Sequence, residues 1–179
     1  MNRIITLIFL IVFSISTKIY SQEIRIALAP EINLPTGNAS NTSGIGFGGS
    51  LKVEFPIADK YAVTANGGYN LFIGKKYFGN RVENIDAIPT KLGFKYYSSP
   101  EFYLEAQAGA AFHLGSVSRT SFVWSPGIGT YFRTGNKNNK LDFGLRYEAW
   151  TNSSYGSTSN LKTTSFGFIG LKLGYVFGL

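Results

Sequence analysis

From Ile24 to Leu179, apolar and polar residues alternate in runs of about a dozen. A period of two sends successive side chains to opposite faces, so each run reads as a strand with one apolar and one polar face. Eight strands are predicted, over 24–35, 44–56, 61–72, 85–97, 102–113, 121–133, 140–150 and 164–179. Their connections alternate in character. Segments 55–60, 98–101 and 134–139 are short and carry turn residues, whereas 36–43, 73–84, 114–120 and 151–163 are mostly longer and rich in Ser, Thr, Asn and Gly. Short turns on one side and long loops on the other are the pattern of an all-β, eight-stranded antiparallel up-and-down barrel that crosses a membrane. An even strand number puts both chain ends on the short-turn, periplasmic side.

The two faces have separate chemistry. One phase holds Ile45, Phe47, Leu51, Val53 and Phe55 in the second strand, Phe102, Leu104, Ala106, Ala108, Ala110 and Phe112 in the fifth, and Ile169, Leu171, Leu173, Tyr175 and Phe177 in the eighth. The opposite phase carries Arg25, Glu31, Lys52, Glu54, Lys91, Lys95, Glu105, Asp142, Arg146, Glu148 and Lys172, interleaved with glycines such as Gly93, Gly109, Gly144 and Gly170. Its positive and negative groups nearly cancel, as a lumen network of ion pairs requires.

Two closed structures can carry this pattern. In a transmembrane barrel the apolar phase faces lipid and the charges fill the lumen. In a soluble lipocalin-like lipid binder the phases are reversed. Two features favour the membrane barrel. Phe55, Tyr61, Tyr96, Phe102, Phe132, Phe143, Tyr175 and Phe177 gather at one level near the short turns, as an interfacial aromatic girdle does. Glycine alternating with long charged side chains also suits a narrow lumen that side chains must fill. A lipocalin, moreover, continues past its eighth strand into a helix, and here the eighth strand runs to Leu179.

Residues 1–21 read as a secretory signal peptide: Arg3 is the positive end, Ile4 to Ile15 the apolar core, and Ser21 a small residue before the cut. The alternative is an uncleaved anchor, for which the apolar stretch is short. The mature domain is then 22–179. The formal charge of +7 falls to +5 once Arg3 and Lys18 leave with the leader. The basic residues are scattered rather than clustered, so nucleic acid is not an expected partner. No cysteine is present, and 21 glycines with 15 Phe and 11 Tyr fit a barrel better than a helical fold.

The last segment resembles the assembly signal of outer-membrane barrels: Lys172 as the polar residue, Gly174 two later, then Phe177 and Leu179 in the apolar positions. Residues 22–179 as a whole resemble the small eight-stranded family that includes the OmpA membrane domain and OmpX. That resemblance implies the cell outer membrane, transient contact with a periplasmic chaperone and the barrel-assembly machinery, and a monomer among outer-membrane lipids.

Candidate chemistry is sparse. His113 is the only histidine, with Ser116 and Ser118 just beyond. A His–Ser pair is the minimum for acyl transfer, and some eight-stranded barrels act on lipid A, but strand phase turns His113 into the lumen, away from lipid. One histidine and no cysteine leave only oxygen ligands, so neither a metal site nor a cofactor is expected. Gly44–Gly49 is a strand with inward glycines, not a phosphate-cradling turn. Lys75, Lys76, Arg81, Arg119 and Lys162 in the long loops are candidates for contact with lipopolysaccharide phosphates. The reading is a non-enzymatic outer-membrane barrel with a filled polar lumen, serving envelope structure or surface interaction. The alternatives are a lipid A-modifying enzyme, a narrow conductor of solutes and the soluble lipid binder.

Overall fold

The strands predicted from alternation form one continuous antiparallel meander. The computed structural model describes residues 24–77, 80–114, 119–134, 139–154 and 162–178, so the leader expected at 1–21 lies outside the described residues. In chain order the elements are β1 (Arg25–Thr36), α1 (Ala39–Thr42), β2 (Ser43–Ala58), β3 (Tyr61–Gly74), β4 (Lys76–Tyr77), β5 (Asn80–Arg81), β6 (Ile85–Tyr97), β7 (Phe102–His113), β8 (Thr120–Arg133), β9 (Lys140–Ser154) and β10 (Lys162–Gly178). Eight of them close in the order β1-β10-β9-β8-β7-β6-β3-β2, with β10 pairing back onto β1. Closure leaves no unpaired edge, which is what lets a sheet stand in a medium without water. A tilted strand needs roughly 9–11 residues to cross the hydrocarbon. The barrel strands have 12 to 17, so they continue beyond it.

Several boundaries differ from the sequence expectation, each because pairing continues past the last clear alternation. The first short turn, expected over 55–60, is mostly strand, since Phe55↔Val63 and Ala58↔Tyr61 remain paired. The fourth long loop, expected over 151–163, loses both flanks, because β9 and β10 stay in register to Ser154↔Lys162. Long loop 73–84 contains the β4–β5 hairpin, paired Lys76↔Arg81 and Tyr77↔Asn80. Long loop 36–43 contains the one-turn helix α1. Gly37 has φ +55, a conformation that costs glycine nothing, and its carbonyl accepts the Ser40 N–H at 3.1 Å and the Ser40 hydroxyl at 2.7 Å.

The ladders also show what proline does inside a barrel. Pairing is interrupted beside Pro30 between β1 and β10, beside Pro89 between β3 and β6, and beside Pro126 between β8 and β9. Each proline keeps its pairing on the other side, as Pro30↔Gly49, Pro89↔Ala111 and Pro126↔Ala106. The register resumes unshifted after every gap, so the missing N–H removes a rung and adds no bulge.

Orientation of the side chains is unambiguous. Phe47 is 48% exposed and Leu92 67%, whereas Lys52 is 6% exposed and Lys95 fully buried. The girdle residues Phe55, Tyr61, Phe102, Phe132, Phe143 and Phe177 are all on the outer wall. The apolar phase therefore points out and the charged phase in. That excludes the inverted, lipocalin-like barrel.

Inward glycines leave room for long neighbours. A Cβ on Gly144 would meet the Lys172 chain at 2.4 Å, one on Gly129 the Tyr103 ring at 2.3 Å, and one on Gly46 the Phe72 ring at 2.5 Å. At Gly109 the obstacle is backbone, with the Thr90 carbonyl oxygen 2.0 Å from the Cβ position. Backbone cannot rotate aside as a side chain does, so Gly109→Ala is expected to cost about 1–3 kcal/mol by overpacking. Gly49→Ala, where the nearest atom is 3.8 Å away, should be tolerated. Urea unfolding of both variants in lipid vesicles checks the difference.

Candidate functional site

The interior is built in three layers, each set by which inward residue sits at which height. Nearest the long loops, Phe72, Ala87, Ala111, Val123, Trp150 and Phe168 form a buried apolar cluster, with Ile85 and Phe166 against it. Its rings meet edge-on and tilted, Phe72 to Trp150 at 5.6 Å and Phe72 to Phe168 at 4.9 Å. Nearest the short turns, Tyr103 and Tyr131 pack with Ala27 and Val176, and Tyr97 lies against them. Most of the ionic network stands between these layers, and its Arg25–Glu54 end reaches the short-turn mouth.

All eleven charged residues named from the inward phase are in ion pairs. Arg146 reaches Glu31 at 2.7 Å and Glu148 at 3.0 Å, Lys91 reaches Glu148 at 2.5 Å, and Lys52 reaches Glu105 at 2.5 Å. Lys172 pairs with Asp142 at 2.8 Å, and Glu54 takes both Arg25 at 2.7 Å and Lys95. Neutral donors satisfy the remaining carboxylate lone pairs. Glu148 accepts from the Trp150 indole at 2.7 Å, Glu31 from Ser50 at 2.7 Å, and Asp142 from the Tyr103 hydroxyl at 2.6 Å. Glu105 accepts from Thr64 at 2.8 Å and Gln107 at 3.0 Å, and Glu54 from the hydroxyls of Tyr97 and Tyr131. Buried charges are tolerable only when paired and hydrogen-bonded in this way.

Alternation did reveal these residues, but not their partners or the layers that enclose them. Trp150, Phe166 and Phe168 share parity with the inward charges of their own strands, as do Tyr97 and Tyr103, whereas Phe72 and Tyr131 share parity with the buried polar residues of theirs, Asn66 and Asn70 in β3 and Ser121 and Ser125 in β8. Parity was the available signal. The interior is thus not charge and glycine throughout, as the sequence reading expected, but is capped toward the long loops by an apolar layer and lined toward the short turns by tyrosines.

His113 turns inward at the long-loop end, where its Nε2 is 3.0 Å from the Ser121 hydroxyl and its ring stands edge-on to Trp150 at 5.3 Å. Ser121, not Ser116 or Ser118, is its partner; the latter two lie outside the described residues. Ser121 is only 3% exposed, at the long-loop end of β8 two residues before Val123 of the aromatic layer. Among the described residues no group of three His, Cys, Asp or Glu is placed to hold a metal ion. Of the loop cations, Lys75 donates to the Ser40 carbonyl at 2.6 Å, Lys76 and Arg119 are exposed, Arg81 lies in β5, and Lys162 opens β10. In the terminal segment Lys172 and Gly174 point inward and Phe177 outward, while Leu179 is outside the described residues.

No protein-family model matches the chain, and no curated protein matches it. Solved structures do. The Neisserial surface protein A (NspA) superposes with a TM-score of 0.59 at 14% identity, over 87% of this chain and 97% of that one. The outer membrane protein OprG from Pseudomonas aeruginosa gives 0.57 at 10% identity, over 88% and 96%. Ail, the attachment invasion locus protein of Yersinia pestis, gives 0.52 at 16% identity, over 88% and 100%. Identities this low speak to the fold alone, and the fold is the eight-stranded barrel of outer-membrane proteins.

Proposed function

We propose that this barrel of the outer-membrane type serves the cell envelope without catalysis, as a rigid membrane body whose long loops make the outside contacts. The observation that carries the reading is the closure of the lumen. At mid-height the free space is about 20 Å³, lined by Glu31, Lys52, Lys91, Glu105 and Arg146 among others. That is room for about one water. With the aromatic layer above it, the interior at mid-height offers, among the described residues, neither a wide pore nor a ligand cavity. What remains to meet other molecules is the outer wall, which suits lipid, and the loops, where Lys75, Lys76, Arg81, Arg119 and Lys162 suit lipopolysaccharide phosphates. Insertion by the barrel-assembly machinery through the terminal segment, and a monomeric state, belong to the same proposal.

One observation favours a second reading, a lipid A-modifying enzyme: the 3.0 Å contact between His113 and Ser121 resembles a base beside a nucleophile. Burial of Ser121 weighs against it, since an ester must reach the hydroxyl. Lipid A mass spectra separate the two. Cells with the gene, without it, and with Ser121→Ala should give the same spectrum. An acyl or headgroup change that follows the intact Ser121 would establish the enzyme instead.

A further inference from the structure

Two barrel strands, β3 and β8, turn no buried charge into the lumen. Their inward positions hold Thr64, Asn66 and Asn70 on β3, and Ser121, Ser125 and Gly127 on β8. At mid-height one residue from each strand is left over. Ser125 is 3% exposed, and its hydroxyl has no hydrogen-bond partner among the described residues. Asn66 is 7% exposed and makes no side-chain hydrogen bond among them either. Both line the same space of about 20 Å³. A buried hydroxyl without a partner costs free energy unless something in that space bonds to it.

The rest of the lining has donors to spare and few acceptors. Lys52 and Lys172 each give one ammonium proton to an ion pair, with Glu105 and Asp142, and keep their others. Gln107 gives one amide proton to Glu105 and keeps one. Glu105 already accepts from Lys52, Thr64 and Gln107, and Glu31 from Ser50 and Arg146. Charge leans the same way. Lys52, Lys91, Arg146 and Lys172 line the space against two carboxylates, Glu31 and Glu105. Over all the paired inward groups, cations outnumber carboxylates six to five.

We infer that this space is a site for one monatomic anion of the chloride class, held by the Ser125 hydroxyl, the Asn66 amide and the ammonium groups of Lys52 and Lys172. Room for one water-sized sphere excludes a molecular ligand, phosphate and carboxylates included, yet fits a single ion. Water must donate as well as accept, and the lining offers it mainly donors. A halide accepts from every one of them and supplies the missing negative charge.

The test is urea unfolding of the protein in phospholipid vesicles, with bromide titrated against gluconate, an anion too large for the space. Equal ionic strength throughout removes general screening. Bromide should raise the urea midpoint saturably, as a ligand of the folded state does. Ser125→Ala should unfold normally in gluconate, since the hydroxyl it loses has no partner there, and should need about tenfold more bromide for the same shift. Ser43→Ala removes the other unpartnered buried hydroxyl among the described residues, at the long-loop end of β2, and should respond to bromide as the unaltered protein does. Crystals grown in sodium bromide should show an anomalous peak between Ser125 and Lys52. No saturable shift, an undiminished response in Ser125→Ala, or water at that position in place of bromide overturns the inference.

Discussion

Glu148→Leu is expected to destabilise the barrel by about 3–5 kcal/mol, the cost of stranding a buried charge. Glu148 is fully buried and accepts from Lys91, Arg146 and the Trp150 indole. Arg146 keeps Glu31 when Glu148 is lost, but Lys91 has no second ion pair to fall back on among the described residues. The Trp150 N–H is orphaned as well, inside an apolar layer. Removing Lys91 together with Glu148, as Glu148→Leu/Lys91→Met, should recover much of the loss, because the penalty comes from the unpaired charge more than from the missing attraction. Urea unfolding in phospholipid vesicles measures both variants. A double variant no better than the single one would mean that Lys91 is not held by Glu148.

Leu51→Arg is expected to cost about 2–4 kcal/mol, the range for a cation at mid-bilayer on a barrel wall. Leu51 stands on the outer wall, 48% exposed, paired in register between Leu28 and Gly67. Its neighbour Lys52 points the other way, into the pair with Glu105. One residue along the strand thus separates a position that rejects a cation from one that requires it. In water, Leu51→Arg would be almost neutral, since the position is already exposed. The size of the effect in vesicles therefore reports what surrounds the barrel.

How much of this was legible follows from what alternation encodes. Period two fixes the face of each side chain, so Lys52, Lys91 and Arg146 could be placed inside and Phe47 and Leu171 outside from sequence alone. It does not encode height or partner. Those depend on strand tilt and on closure, which bring together residues remote in the chain and on non-adjacent strands. Glu31 in β1 meets Arg146 in β9, and Lys52 in β2 meets Glu105 in β7. The aromatic layer is illegible in the sequence for a related reason. Phe166 and Phe168 are apolar residues on a polar phase, and only the crossing of β3, β9 and β10 at one height shows that they meet Phe72 and Trp150. Strand ends read short in the sequence because Thr, Asn and Ser in 151–154 look like loop, yet backbone pairing with β10 does not depend on side-chain polarity. His113 was placed inward by its phase, but its partner Ser121 sits across a strand pair and not along the chain.

The two tryptophans give the most direct test of the central claim, that apolar side chains face lipid around an enclosed ionic interior. Trp124 is on the outer wall, 42% exposed and in ring contact with Tyr147 at 5.5 Å, whereas Trp150 is 1% exposed inside the barrel. Fluorescence of Trp150→Phe and Trp124→Phe, each folded into vesicles of lipid brominated along the acyl chain, reads the two positions separately. The account predicts strong quenching of Trp124 and almost none of Trp150. Quenching of Trp150 with Trp124 spared would contradict it.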